Sequence, residues 1–326
     1  MTNIQSIYSV LNTHGMSKKH LSSIMPEWWS DEVETTPGGA QRAKIYLAKA
    51  LSLQVRAFSE NPPRVEFDLP GEKRFKLSAK TSENDVELAV ALARSASRIA
   101  IGALEKDFTQ PNESASAIRD HILATGAKWV GLAELIDLCW AYGIPVLHLA
   151  SPLLAKKKMD GIAMSINGRP SIVLSNVRKS GFLLFHLAHE IGHIALGHLG
   201  ANSAIVDDDF EEQAKNSKSA DEVAADRFAL ELLTGNPDFT LRLQTKMKAE
   251  PLARLAASSA VEMKIAPSQL VMSCAHGDSK YYALYVGAAN ILGSGISDQS
   301  IVTGKVFEHL PELDPDAEHL LRNLIA

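Results

Sequence analysis

Residues 185 to 198 read FHLAHEIGHIALGH, and within them His189, Glu190 and His193 form an H-E-x-x-H string. On an α-helix, positions four apart lie about 40° apart around the axis and one turn apart in height, so both imidazoles can reach one metal ion from the same face. Glu190, rotated about 100° from His189, is placed to face a water on that ion rather than to bind the ion itself. Two histidine ligands beside a carboxylate base are the chemistry of a zinc hydrolase. Such a site needs a third protein ligand and one position left for water. Glu222 lies 29 positions after His193, in the run ADEVAADRFALELL, and Asp226 follows four positions later. Glu222 completes the ligand set; Asp226 is placed to accept the free N–H of a ligand histidine and so fix its tautomer. The small side chains of Ala224 and Ala225 would let this second helix pack closely on the first. The competing reading makes these residues solvated groups on a core helix. Against it, Leu187, Ile191, Ile194 and Ala195 make the first helix apolar enough to be buried, where unpaired imidazoles and a carboxylate would be costly.

Around this constellation stand weaker candidates. His186 and His198 flank the string and either line the cleft or pack as ordinary histidines. Arg178, before the helix, could pair with an acid or touch substrate, and one of Tyr281, Tyr282 and Tyr285 could donate to an oxyanion if the cluster is not simply core. Asp207, Asp208, Asp209, Glu211 and Glu212 form an acidic stretch between the two site helices that could attract a basic substrate. Cys139 reads as a small buried hydrophobe.

The elements that must carry these residues follow from periodicity and breakers. Apolar spacing predicts helices over 3–13, 16–25 and 40–58, and a strong one over 82–104 capped by Ser82 or Asn84. The three prolines of 61–75 make that stretch a linker or extended crossing. A helix over 130–143 precedes a buried strand, IPVLHLA; strands 161–166 and 171–176 then flank Asn167-Gly168-Arg169-Pro170, a hairpin signal. Helices over 180–198 and 219–234 enclose the polar stretch NSAIVDDDFEEQAKNSKS, and the chain is helical again after Pro251, with YYALYVG extended. The sum is an α+β fold, mostly helical, with a small sheet.

Composition sets the outer bounds. The 326 residues carry 33 basic and 38 acidic side chains, a formal charge of −5, which disfavours whole-chain nucleic-acid binding. Two cysteines exclude both a disulfide framework and an all-cysteine zinc site. No secretory signal and no apolar run of about 18 residues is found, so the expectation is a cytoplasmic protein without a membrane partner.

Taken together, residues 130 to 275 resemble the ImmA/IrrE-type zinc metallopeptidases. The likeness rests on AYGIPVLHL, the hairpin GIAMSINGRPSIVLSN, KSGFLLFHLAHEIGHIALGH, EVAADRFALELL and the trailing VEMKIAPSQLVMSCAH. It implies a zincin-like core in which His189, His193 and Glu222 hold Zn²⁺ and Glu190 is the general base. It also implies a protein substrate, typically a helix-turn-helix repressor whose cleavage relieves repression under stress or phage signals. The chain departs from the family pattern at Thr234-Gly235, where a Met-Pro pair is usual, and in its longer N-terminal part. The expected organisation is a helical N-terminal regulatory domain over 1–110, a peptidase core over 111–240 and a helical or extended region packing on it over 241–326.

Several relatives of that family carry a helix-turn-helix domain upstream, and MSKKHLSSIMPEWWSDEV followed by AQRAKIYLAKALSLQVRAF has the rhythm of a degenerate one. Residues 1–58 hold six basic side chains against four acids, a thin footprint for phosphate contacts, and Trp28 and Trp29 fall where a recognition helix presents polar groups. This segment is therefore either a bundle that packs on the peptidase or binds a protein partner, or a DNA-binding module. The function expected is zinc-dependent endoproteolysis of a repressor or antitoxin. The alternative is a zinc-containing transcriptional regulator or toxin–antitoxin component that binds without cleaving.

Overall fold

The hairpin expected at Asn167-Gly168 forms as a two-residue turn, with both residues at positive φ (54° and 79°), joining β3 (Gly161–Ile166) to β4 (Arg169–Leu174). Arg169 and Pro170 were expected in the turn but lie in β4. In such a hairpin the residues flanking the turn exchange both hydrogen bonds, so the next pair, Ser165 and Pro170, needs no bond between them and the proline is tolerated. The computed structural model describes residues 4–76, 83–150, 159–175, 181–207, 219–243, 245, 247–277, 279–293, 295 and 297–325. It is α+β and mostly helical, as the periodicity predicts.

Two further strands run parallel to their neighbours at the edges of the sheet, β2 (Val146–His148) on β4 and β1 (Glu72–Lys76) on β5 (Ser203–Asp207). With β5 antiparallel to β3, the order is β1-β5-β3-β4-β2. The strand at 203–207 corrects the reading of that stretch as polar and irregular, and β1 turns the end of the proline-rich crossing into a strand. Both are five residues long and are held by partners distant in sequence, which is why local pattern does not reveal them. The acidic residues 208–212, Arg178 and Ser82 lie outside the described residues.

The N-terminal helices are α1 (Ile4–Thr13), α2 (Lys18–Ile24), α3 (Asp31–Thr35), α4 (Pro37–Ala50) and α5 (Val55–Phe58). Trp28 and Trp29 are on the turn between α2 and α3, not on a recognition helix, and Trp28 Nε1–H donates to both carboxylate oxygens of Asp316 at 3.1 Å. Asp316 belongs to the last helix, α15 (Pro315–Ile325), which packs on α2 and on the long α6 (Glu83–Ala103). Helix α6 starts at Glu83, so Asn84 lies inside it and does not cap it.

Helices α7 (Ala115–Ala124) and α8 (Leu132–Ala141) lead into β2, and α8 buries Cys139, whose thiol burial alone pushes well above its usual pKa. Next come α9 (Phe182–Ala195), which lies on β3 and β4, and α10 (Ala220–Thr234), which packs on α9. A separate apolar core joins α11 (Ala249–Met263), α12 (Pro267–Gly277) and α13 (Tyr282–Leu292) to Phe182 at the start of α9. Helix α13 corrects the expectation of an extended YYALYVG. Tyr285, Ala288 and Ala289, spaced for one helix face, are all fully buried there, and this packing overrides the β-propensity of the tyrosines and valine. Tyr281 and Tyr282 pack against the same core. Helix α14 (Asp298–His309) then covers α8 and β2.

Candidate metal centre

Every residue of α9 from Phe182 to Ile194 is buried, so the imidazoles of His189 and His193 and the carboxylate of Glu190 are held away from bulk water. Helix α10 reaches them from the side. Ser219 caps it by accepting the N–H of Glu222 at 3.4 Å, which puts Glu222 in the first turn. The carboxylate of Glu222 meets both histidines: Oε1 is 2.9 Å from His193 Nε2 and Oε2 is 3.4 Å from His189 Nε2. The three donors lie within 4.8 Å of one another. One turn further along α10, Asp226 Oδ1 is 3.0 Å from His189 Nδ1. That leaves Nε2 of each histidine aimed at Glu222, as a two-imidazole, one-carboxylate zinc set requires. The chemistry of the donor set fits the metal.

His193 has an outer partner as well. Gly197 takes φ 72° just past the end of α9, and the chain closes with His198 N–H on His193 O at 2.9 Å and Gly197 N–H on Ile194 O at 3.1 Å. This Schellman closure brings residue 198 back over residue 193. The two Nδ1 atoms come to 2.8 Å, and His198 Nε2 points on towards Asp221 Oδ1 at 3.9 Å. His198 thus holds the ring of His193 as Asp226 holds that of His189. His186, one turn before His189, faces Asp160 instead, Nε2 to Oδ2 at 3.9 Å.

Two glycines make the arrangement fit, and neither stands out by residue type alone. A Cβ at Gly192 would lie 3.1 Å from Ala225 O and 3.2 Å from Ala225 Cα, so α9 and α10 touch backbone to backbone. Ala225 is fully buried in that contact while Ala224 is only half-buried, so one of the two alanines expected at the interface carries it. A Cβ at Gly161, the first residue of β3, would lie 2.6 Å from Glu190 Oε1. The start of the central strand is therefore the wall against which Glu190 rests. Gly161→Ala should leave folding and metal content almost unchanged, because the clash is with the end of a flexible side chain. It should lower peptide cleavage by about 10- to 100-fold, the cost of misplacing a reacting group by roughly an ångström. Parallel measurement of turnover and bound metal checks this.

Helix α10 ends at Gly235, which takes φ 82° and donates its N–H to Glu231 O at 2.7 Å. A proline could not adopt that φ, so the departure from the usual Met-Pro pair has a local backbone reason. Arg119, buried on α7, donates to Leu233 O at 2.8 Å and to Lys264 O at 2.6 Å, tying the ends of α10 and α11 together. Burial holds the Arg119 pKa below its ordinary value.

Residues 141–266 match the family model Peptidase_M78, described as the IrrE N-terminal-like domain, the family that the sequence resembles. The matched span runs from the end of α8 to the close of α11 and contains every residue of the donor set. No curated protein and no solved structure matched the chain. The match to a peptidase family points to peptide hydrolysis and so to a protein substrate. Among the described residues no helix is long and apolar enough to cross a membrane.

Proposed function

We propose that the chain is a zinc-dependent endopeptidase whose substrate is a regulatory protein, a helix-turn-helix repressor or an antitoxin. The observation that carries this reading is the convergence of Glu222 on the Nε2 atoms of His189 and His193, with Glu190 buried beside them and outside the ligand set. His189, His193 and Glu222 would hold the metal, with Asp226 and His198 orienting the two rings. A zinc ion held there would supply Lewis acidity and make a water more acidic, towards a pKa of about 7. Glu190 accepts a proton from the attacking water and returns it to the leaving amine nitrogen, one carboxylate serving as base and then as acid.

The N-terminal bundle we assign to regulation rather than to reading DNA. Helix α3, which follows the turn where a recognition helix would lie, is five residues long and carries Asp31, Glu32 and Glu34. Three acids there would repel the phosphate backbone.

The test is cellular. Wild type and Glu190→Gln, expressed at equal levels under the inducing stress, are compared by mass spectrometry of new protein N-termini. A cleaved repressor or antitoxin seen with wild type only supports the proposal. Normal transcriptional switching by Glu190→Gln, with no wild-type-specific cleavage, would replace it with the regulator that binds without cutting.

A further inference from the structure

Away from the candidate metal centre, the N-terminal bundle forms an open cleft of about 840 Å³ between α3 and the starts of α1, α2 and α4. That is the size range of pockets that hold small organic molecules. Helix α4 supplies one wall, with Pro37, Ala40, Gln41 and Lys44 spaced at three and four residues along a single face. The opposite side presents Gln5, Lys18, Asp31 and Glu34, so two carboxylates face two lysines, and the rim includes Ser59 and Asn61.

The charges inside do not balance pairwise. Glu34 is fully engaged: Tyr8 Oη donates to its Oε2 at 3.3 Å and Lys18 Nζ lies 3.6 Å from its Oε1. Burial and the neighbouring carboxylate hold the Tyr8 phenol far above its usual pKa, so it remains a donor. Lys18 is also shared with Asp31, at 3.4 Å. Lys44, in contrast, is only 9% exposed, lines the cleft and has no hydrogen-bond or ion-pair partner among the described residues. Its stem is packed away while its ammonium has no carboxylate within ion-pair distance, so an anion in the cleft would find a positive charge not already committed to a protein acid.

We propose that this cleft binds a small hydroxylated anion, of sugar-phosphate or sugar-acid type, whose anionic group pairs with Lys44. The amides of Gln41 and Asn61, with the hydroxyl oxygens of Thr35 and Ser59 as acceptors since their protons go to Glu32 O and Val55 O, suit the hydroxylated body of such a molecule.

Calorimetric titration of the full chain with glucose 6-phosphate, gluconate and AMP tests this, with a chelator present so that an anion held by a metal does not count. At least one probe should bind, and Lys44→Met should weaken it by about 10- to 100-fold, the loss expected for a charge-assisted contact. Lys44→Arg, which keeps the charge, should bind within about tenfold of wild type on the same reasoning. Amide exchange over residues 35–44 of the wild type should slow on adding the probe, a readout that needs no variant to fold. Binding by the phosphates alone, or by gluconate alone, identifies the anionic group. Failure of all three probes to bind wild type would overturn the proposal, as would undiminished binding by a folded Lys44→Met protein.

Discussion

Glu190→Gln is expected to lower peptide hydrolysis by about 10²- to 10⁴-fold, at the upper end because one carboxylate serves both proton transfers. The substitution is nearly isosteric and leaves His189, His193 and Glu222 in place, so bound zinc and melting temperature should match wild type. The amide can accept no proton at neutral pH and has none to return to a leaving amine. It also keeps the shape that rests against Gly161, which separates loss of chemistry from loss of packing. Single-turnover cleavage assays beside metal analysis and thermal denaturation check it. A large fall in melting temperature or zinc content would mean that Glu190 holds the site together and is not simply its base.

Removing a ligand should act the other way, on the metal first. His193→Ala or Glu222→Ala takes away one of three protein donors, and each variant should lose most of the roughly one zinc per chain expected of wild type. Asp226→Ala removes only the acceptor at 3.0 Å from His189 Nδ1 and should weaken zinc by about 10- to 100-fold, a smaller loss than either ligand deletion. The metal binds only the folded chain in this picture, so it also stabilises it. At a free zinc concentration a hundred times its dissociation constant the gain is about 2.7 kcal/mol, and a chelator should remove it from wild type and leave Glu222→Ala almost unmoved. Zinc titrations followed by thermal denaturation measure both effects. Full zinc occupancy in Glu222→Ala would take this residue out of the ligand set.

Much of the donor set is legible from local geometry. His189 and His193 share a face because an α-helix turns about 100° per residue, a relation that holds before any tertiary contact forms. The same rule places Asp226 one turn from Glu222, and the Asn167-Gly168 pair announces the hairpin through the positive φ that both positions require. The apolar residues around the H-E-x-x-H string likewise indicate a buried helix, and α9 is buried along almost its whole length.

Other features depend on contacts between distant residues. Nothing local in Gly161 shows that a strand starts against Glu190, 29 positions later, and nothing local in Gly192 shows that it meets Ala225. His198 stands five residues from His193, a spacing that points away from it on a continued helix. Only the left-handed turn at Gly197 brings it back. Strands β1 and β5 exist because they pair with each other and with β3. Helix α13 exists because α11 and α12 bury its small face, against the preference of its tyrosines. By itself the sequence determined the candidate donor residues, their helical spacing and the mostly helical α+β class, since these follow from rules that act within a few residues. The tertiary structure alone decided which glycine lies against Glu190, which histidine meets the ring of His193 and which lysine lines a cleft without an ion-pair partner. Those depend on how closely segments far apart in the chain approach, and close approach is set by packing.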